Sequence, residues 1–317
     1  MLEIVDIVLL VLIGLFGGLV GGMLGVGGSV VMIPAMTELL GPNQHLYQAA
    51  AMIVNFFVVV PAVYQHRRAR AIDFRTVARL VPLSILAALA GVAVSELPMF
   101  RCSGETYLQG AFGAFLIIIA AVDLFRMSRA KTRDTINELK DYPARLSPQH
   151  ITWRFAAYVA IPTGLIAGLL GVGGGMLAVP LQRRFLRIPL RQAIANSAAV
   201  IIPTSLLGAT AKNLAIMDRH IDGTSPFVLA AILIPMAVLG SFIGSRWTHI
   251  APLKMIRVAF WLLLMVAGTK LVYTTASSLR PSALGKNEIA SRAWISNRNR
   301  RCLGPSSTKL WHSSLMI

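Results

Sequence analysis

Long stretches without Asp, Glu, Lys, Arg or His dominate the pattern of apolar and polar positions along this chain. Each stretch reaches or exceeds the roughly 20 residues that a helix needs to cross about 30 Å of hydrocarbon. The stretches cover residues 7–37, 46–65, 155–182, 192–211 and 223–245. This pattern predicts membrane-spanning helices rather than the core of a soluble domain.

Three shorter apolar runs complete the predicted set. They lie at residues 80–95, 106–122 and 258–269. The first two reach spanning length with flanking polar residues, whereas the third needs Arg257 and Lys270 to extend toward the two interfaces. We therefore predict an all-α polytopic membrane protein with about eight transmembrane helices.

The apolar pattern occurs twice, which indicates an internal duplication. Residues 18–34 and 164–180 match glycine on glycine at an offset of 146. The match continues through Gln48-Ala49 with Gln192-Ala193, Ile72-Asp73 with Ile221-Asp222, and Pro82 to Gly91 with Pro235 to Gly244. We interpret this as two homologous four-helix repeats of roughly 130 residues. The predicted parts are a first transmembrane repeat at 1–127, a polar cytoplasmic linker at 128–150, a second transmembrane repeat at 151–276 and a basic disordered tail at 277–317.

Glycines crowd a single turn in each copy of the repeat. Glycine costs a helix about 1 kcal/mol relative to alanine and lets the backbone leave helical geometry, so we predict a break in each helix. The crowded glycines are Gly25, Gly27, Gly28, Gly171, Gly173 and Gly174. If a helix restarts at Ser29 and at Gly175, its first N–H groups carry a partial positive charge that suits an oxyanion. Ser29 is expected to cap the first restart.

Close helix packing is the alternative role for glycine in a membrane. Small residues spaced four apart let two helices approach each other. We assign that role to Gly14, Gly18, Gly22, Gly164 and Gly168, and we favour a functional break for the crowded glycines.

Polar side chains within the predicted spans are the next candidates. Such groups either bond a neighbouring helix or face a pathway. They are Asn55, Asn196, Ser197, Thr204 and Ser205. Lys212 lies near a span end, where we expect it to extend to the interface. Asp73 and Asp222 precede predicted helices, where a carboxylate complements the helix start.

Composition supports the membrane class and limits the chemistry. The 317 residues are 56% hydrophobic and 14% charged, which is too apolar for an ordinary globular domain. The chain has no phosphate-binding G-x-x-x-x-G-K-[ST] motif, and its histidines are scattered. Cys102 and Cys302 have no partner at ligand spacing. We therefore expect no enzyme activity, no cofactor and no metal site.

The net charge of +17 reflects basic residues in the predicted loops and tail rather than a nucleic-acid-binding motif. If the chain starts in the cytoplasm, 22 of the 30 Lys and Arg residues fall on the cytoplasmic side, so we expect both termini there. Arg183, Arg184, Arg187 and Arg191 do not fit this arrangement. Either the concentration of basic residues on the cytoplasmic side fails locally, or a glycine-rich segment is re-entrant. An inverted orientation of the two repeats is therefore left as an alternative.

The duplicated motif resembles a known family. Gly21 to Gly28, followed by Pro34, and Gly168 to Gly175, followed by Pro180, are similar to the TauE/SafE family of sulfite exporter-like membrane permeases. The resemblance covers roughly residues 5–275. Arg191 to Ser197 also resembles the second-helix pattern of that family, whereas the first half lacks the hydroxyl pair at the equivalent place. The resemblance implies transport of sulfite, a sulfonate or a related organic anion.

The sequence thus predicts a secondary transporter that moves a small anion across the cytoplasmic membrane of the cell. An anion channel and a non-transporting membrane scaffold or assembly factor are the alternatives. The predicted partners are the anion and the lipid bilayer, with no specific nucleic acid, while a coupling ion and a homo-oligomer stay open. The predicted substrate-binding residues are Gly25, Gly27, Gly28, Ser29, Asn55, Gly171, Gly173, Gly174, Gly175, Asn196 and Ser197.

Overall fold

The computed structural model describes residues 4–41, 43–97, 100, 105–129, 152–217, 225–250 and 253–279. Within these ranges the chain forms ten α-helices and one π-helical turn, without strands. The helices are α1 (Ile4–Leu24), α2 (Ser29–Leu40), α3 (Gln44–Arg68), α4 (Phe74–Ser95), α5 (Glu105–Arg129), α6 (Trp153–Leu170), α7 (Gly175–Leu181), α8 (Leu190–Met217), α9 (Pro226–Ile250) and α10 (Leu253–Leu279), and the π-helical turn is Gln182–Leu186. Most of the predicted linker and tail, with Cys102, Asp222 and Cys302, lies outside the described residues.

Six of these helices are long and apolar enough to cross a membrane. They are α1, α3, α4, α6, α8 and α9. The prediction of an all-α polytopic membrane protein is therefore confirmed. The count of eight helices is not confirmed, because the stretches 7–37 and 155–182 are each divided into two helices at their glycines.

The first glycine cluster reverses the direction of the chain. In one continuous helix Gly17 and Gly28 would be about 16 Å apart at about 1.5 Å per residue. Instead, a Cβ atom on Gly17 would lie 3.2 Å from the carbonyl oxygen of Gly28 and 2.9 Å from Cγ of Met32. Helices α1 and α2 therefore form a hairpin.

The second cluster does the same in the other half. A Cβ atom on Gly174 would lie 3.0 Å from the carbonyl oxygen of Thr163, which is in α6. Tyr158 of α6 stacks on Phe185, beyond α7, with ring centroids 5.9 Å apart. Both glycine-rich segments are thus re-entrant, which is the arrangement that the arginine distribution left open.

The two halves interlock through their first helices. One face of α1 carries Gly14, Gly18 and Gly22, which contact Leu233, Ala237 and Ser241 of α9. A Cβ atom on Gly18 would overlap the carbonyl oxygen of Ala237, so the contact requires glycine. On the α6 side, Gly164 and Gly168 meet Ser84 and Ala88 of α4. The packing role predicted for these five glycines is confirmed.

Helices α3 and α8 cross the centre of the molecule in opposite directions. Met52 of α3 contacts Gly208 of α8, and His45 contacts Lys212. We call the end where α3 begins and α8 ends the His45 end. The opposite end, where α3 ends and α4 begins, is the Asp73 end. Asp73 caps α4 by accepting a hydrogen bond from Arg75 N at 3.0 Å, as its sequence position predicted.

The halves are inverted copies of each other. Helix α4 packs against α6 and α8, whereas α9 packs against α1 and α3. The glycine contacts align α1 with α9 and α6 with α4 in parallel. Because α3 and α8 are antiparallel, α1 starts at the His45 end and α6 starts at the Asp73 end. Each half then passes three times between the His45 end and the Asp73 end, along α3, α4 and α5 or along α8, α9 and α10.

Candidate functional site

The two glycine breaks meet at the centre of the molecule. Left-handed backbone angles occur in both, with φ of +63° at Gly25, +86° at Gly27, +71° at Gly173 and +79° at Gly174. Residues with a Cβ atom rarely adopt such angles. A Cβ atom on Gly175 would overlap the carbonyl oxygen of Gly25 and would lie 2.6 Å from Cα of Val26. Segments from opposite halves therefore touch backbone to backbone.

Asn55 of α3 joins the breaks and is completely buried. Its Oδ1 accepts a hydrogen bond from Ser29 N at 3.1 Å, and its Nδ2 donates to Ser29 Oγ at 2.9 Å. A Cβ atom on Gly27 would lie 2.7 Å from Oδ1, and one on Gly173 would lie 3.0 Å from Nδ2. One amide therefore contacts both halves.

Helix α2 restarts at Ser29 as predicted, but the predicted capping by Ser29 is wrong. Gly28 is the N-cap residue, and Ser29 is the first residue of the helix. Its N–H group points to the Asn55 amide, so the cap comes from another helix rather than from the local sequence.

At the second restart, the described residues provide no such side-chain cap. The N-cap residue of α7 is Gly174, which has no side chain that could accept a hydrogen bond from the helix. The first N–H groups of a helix have no acceptor within the helix. A small cavity next to them has room for about one water molecule. Its lining includes Gly173, Gly174, Gly175, Ser84, Thr163 and Ser197.

Two side chains of the cavity wall differ in their bonding. Ser197 Oγ lies 2.7 Å from the carbonyl oxygen of Gly25 and 2.9 Å from that of Ile194, so it ties α8 to the first break. Ser84 of α4 is 2% exposed, and its Oγ has no hydrogen-bond partner among the described residues. A buried hydroxyl without a partner is a group that a ligand could satisfy.

Most of the predicted site residues come together here, with two exceptions. Asn196 lies apart, because its Oδ1 accepts a hydrogen bond from Asp73 N at 2.8 Å near the Asp73 end. Gly171 lies beside Gln48, whose Nε2 donates to the carbonyl oxygen of Leu169 at 3.3 Å. The convergent residues are Gly25, Gly27, Gly28, Ser29, Asn55, Gly173, Gly174, Gly175 and Ser197. Their role in substrate binding stays a prediction.

Sequence reasoning missed Ser84 and Thr163. The repeat alignment contained a signal for both, because Thr163 aligns with Gly17 and Ser84 aligns with Ala237. A hydroxyl stands where the other copy has a residue without one. Asn55 differs from its counterpart in a similar way, since its polar amide aligns with Ala199.

The expectation for Lys212 is wrong. This side chain is completely buried, and its Nζ lies 2.7 Å from Oε1 of Glu96. Glu96 directly follows the last residue of α4 and lies just outside the apolar run predicted at 80–95. The inverted fold brings the two residues together.

Inverted repeats whose broken helices meet at the centre define a class of membrane transporters. The sulfite exporter TauE/SafE family model matches residues 10–271, and the chain belongs to this family. The chain is thus a polytopic membrane protein of this family.

Relatives support this assignment. The chain is 26% identical over 279 residues to the probable membrane transporter protein MamO of Paramagnetospirillum magneticum, covering 80% of this chain and 42% of the relative. It is 26% identical over 282 residues to the probable membrane transporter protein YunE of Bacillus subtilis, covering 84% of this chain and 97% of the relative. The chain thus spans less than half the length of MamO. No solved structure matches the chain.

Proposed function

We propose that the protein is a secondary transporter of a small anion, of the sulfite, sulfonate or related organic class, in the cytoplasmic membrane. The observation that carries this proposal is the meeting of two broken helices from inverted halves at Asn55. The family description, sulfite exporter, supports the class of substrate.

The anion would bind where the cavity lies. Its oxygens would accept hydrogen bonds from the N–H groups at the start of α7 and from Ser84 Oγ. Asn55 Nδ2 would supply a further donor if Ser29 Oγ gives up its bond. These donors are neutral, and a helix start adds a partial positive charge. The site would therefore hold an anion without a fixed cation.

Access would alternate by movement of one half against the other. The cavity has room for about one water molecule, so this arrangement is closed to a larger ion. Opening would separate contacts that join the halves, such as Ser197 with Gly25. Rocking of inverted repeats about a central site is the general mechanism of such transporters.

We propose further that the Asp73 end faces the cytoplasm. Described basic residues concentrate there, and basic residues favour the cytoplasmic side. They are Arg67, Arg68, Arg70, Arg75, Arg79, Arg126, Arg129, Arg154, Arg183, Arg184, Arg187, Arg191, Arg246, Lys254 and Arg257. Among the described residues, Lys212 and Lys270 lie nearer the His45 end.

This orientation replaces the expectation of cytoplasmic termini. With three net crossings per half, the start of α1 and the end of α10 lie at the His45 end, outside the cytoplasm. The four arginines from Arg183 to Arg191 then share a side with Arg67 and Arg68. The polar segment between α5 and α6 stays cytoplasmic in both arrangements.

Counterflow in proteoliposomes tests the transport proposal. Vesicles loaded with unlabelled sulfite or isethionate should transiently accumulate the labelled anion against its gradient. Empty vesicles are the control. Flux that saturates but shows no counterflow would identify a channel, and absence of flux for both anions would favour the scaffold.

A further inference from the structure

A buried charged cluster lies at the His45 end, away from the cavity. Lys212 Nζ lies 2.7 Å from Oε1 of Glu96, 2.9 Å from Oγ of Ser95 and 2.9 Å from Nδ1 of His45. The side chains of Lys212, His45 and Glu96 are 0%, 7% and 10% exposed. An ammonium group has three N–H donors, which suit acceptors such as these.

The hydrogen-bond partners of His45 favour one tautomer of its neutral form. His45 Nε2 lies 2.9 Å from the carbonyl oxygen of Phe100, which can only accept a hydrogen bond, so Nε2 carries the proton. In neutral histidine, Nδ1 then accepts from Lys212. With a charged Lys212, a charged Glu96 and a neutral His45, the cluster has no net charge. One added proton would make it positive.

The cluster joins the two halves. His45, Ser95 and Glu96 belong to the first half, whereas Lys212 belongs to the second. Among the described residues, the ionisable groups that face one another here are His45 from α3, Glu96 after α4 and Lys212 from α8. A rocking movement of the halves would have to separate Lys212 from the other two.

One face of α3 connects the cluster to the glycine breaks. His45, Gln48, Met52 and Asn55 recur at the three- and four-residue spacing of one helical face. Gln48 contacts the second break at Gly171, and Asn55 contacts both breaks. The distance along α3 from His45 to Asn55 is about 15 Å at about 1.5 Å per residue. A change in the cluster therefore acts on the helix that carries the anion site.

Charge explains why such a cluster would be useful to an anion transporter. An anion without a counter-charge is costly to bury in the membrane interior. A proton taken up with it compensates that charge within the same cycle. Ionisable residues inside a membrane protein commonly mark such proton pathways.

We propose that the His45–Glu96–Lys212 cluster is a proton-binding site that couples anion transport to the proton gradient. This inference rests on the proposed function. A proton from water at the open side binds the Glu96 carboxylate. Lys212 keeps its positive charge, which Glu96 then no longer balances. The anion binds in the same state, and both leave when access switches to the other side. The proton remains a proton throughout, so no other reactant is consumed.

Proton-driven accumulation and counterflow together test this inference. Proteoliposomes containing the dye pyranine report internal pH, and labelled isethionate, or sulfite after correction for its own buffering, reports the anion. For the wild type, an imposed pH gradient should drive accumulation above equilibrium, with proton movement. Glu96→Gln should retain counterflow, because counterflow moves no net proton. Its pH-driven accumulation of the anion should be at least tenfold lower than that of the wild type.

A matched carboxylate provides the control. Glu38 is half exposed and pairs with Lys270 at 3.1 Å near the same end. Glu38→Gln should accumulate the anion as the wild type does, and Glu96→Asp should keep part of the coupling. Accumulation at the wild-type level in Glu96→Gln would overturn the proposal, as would pH-driven accumulation of the anion by the wild type without proton movement. Absence of wild-type counterflow would overturn the proposed function itself, and this inference with it.

If Glu96→Gln does not purify as a folded protein, proton uptake by the wild type tests the inference instead. Addition of isethionate to purified protein in weak buffer should take up about one proton for each protein, since proton and anion bind in the same state. Anion binding without proton uptake would contradict the coupling.

Discussion

At the scale of single residues, Asn55 does two things that the sequence could not separate. It supplies the cap for α2, and it contacts the glycines of both breaks. A buried amide within a span could be assigned to helix contact or to the pathway. The structure shows the contact between helices, and a role of Asn55 in the pathway is part of the proposed function. Ser84 differs, because its hydroxyl lines the cavity and has no hydrogen-bond partner in the part of the chain that the structure describes.

We predict that Asn55→Ala lowers stability by about 1–3 kcal/mol, because it leaves the buried N–H group of Ser29 without an acceptor. Thermal unfolding in detergent would measure the change. Asn213→Ala is the matched control, since the Asn213 amide donates to the Ala209 carbonyl oxygen within its own helix. Equal melting temperatures for Asn55→Ala and the wild type would contradict the role of this cap.

At the scale of helices, glycine has two separate functions in this protein. In α1 it permits backbone contact with α9, and in the breaks it permits left-handed backbone angles. The sequence predicted both roles correctly, because spacing of four indicates packing and crowding in one turn indicates a break. Both signals are local, so they do not require knowledge of the fold.

Gly18→Ala and Gly208→Ala should have opposite effects on stability. The first adds a Cβ atom that would overlap the Ala237 backbone, so we expect a loss of several kcal/mol. The second adds a Cβ atom 3.5 Å from Sδ of Met52, an ordinary contact, and gains up to about 1 kcal/mol of helix propensity. Thermal unfolding and yield of monodisperse protein would show the difference. A Gly18→Ala protein as stable as the wild type would exclude close α1–α9 packing.

At the scale of the whole molecule, the sequence predicted the duplication but could not determine its orientation. A stretch as long as 7–37 is compatible with one tilted crossing or with a hairpin. The contact of Gly17 with Gly28 resolves this and makes the halves inverted. The Glu96–Lys212 pair was missed for the same reason, since it depends on the antiparallel arrangement of α3 and α8.

Cysteine labelling in intact cells tests the orientation. With Cys102 and Cys302 replaced, we expect Glu38→Cys at the His45 end to react with a membrane-impermeant maleimide from outside. Arg70→Cys at the Asp73 end should react only after the membrane is opened. Both positions are exposed in the structure. The reverse pattern would restore cytoplasmic termini.

The central claim is that the anion binds where the two breaks meet. The most direct measurement is the affinity of Ser84→Ala and Ser245→Ala for sulfite and isethionate, by anion-dependent thermal stabilisation. Both serines are buried, but Ser245 lies outside the cavity and bonds the Phe242 carbonyl oxygen. Loss of one hydrogen bond to a charged group should weaken binding by Ser84→Ala about tenfold to a hundredfold, and Ser245→Ala should bind as the wild type does. Unchanged affinity in Ser84→Ala would place the anion elsewhere.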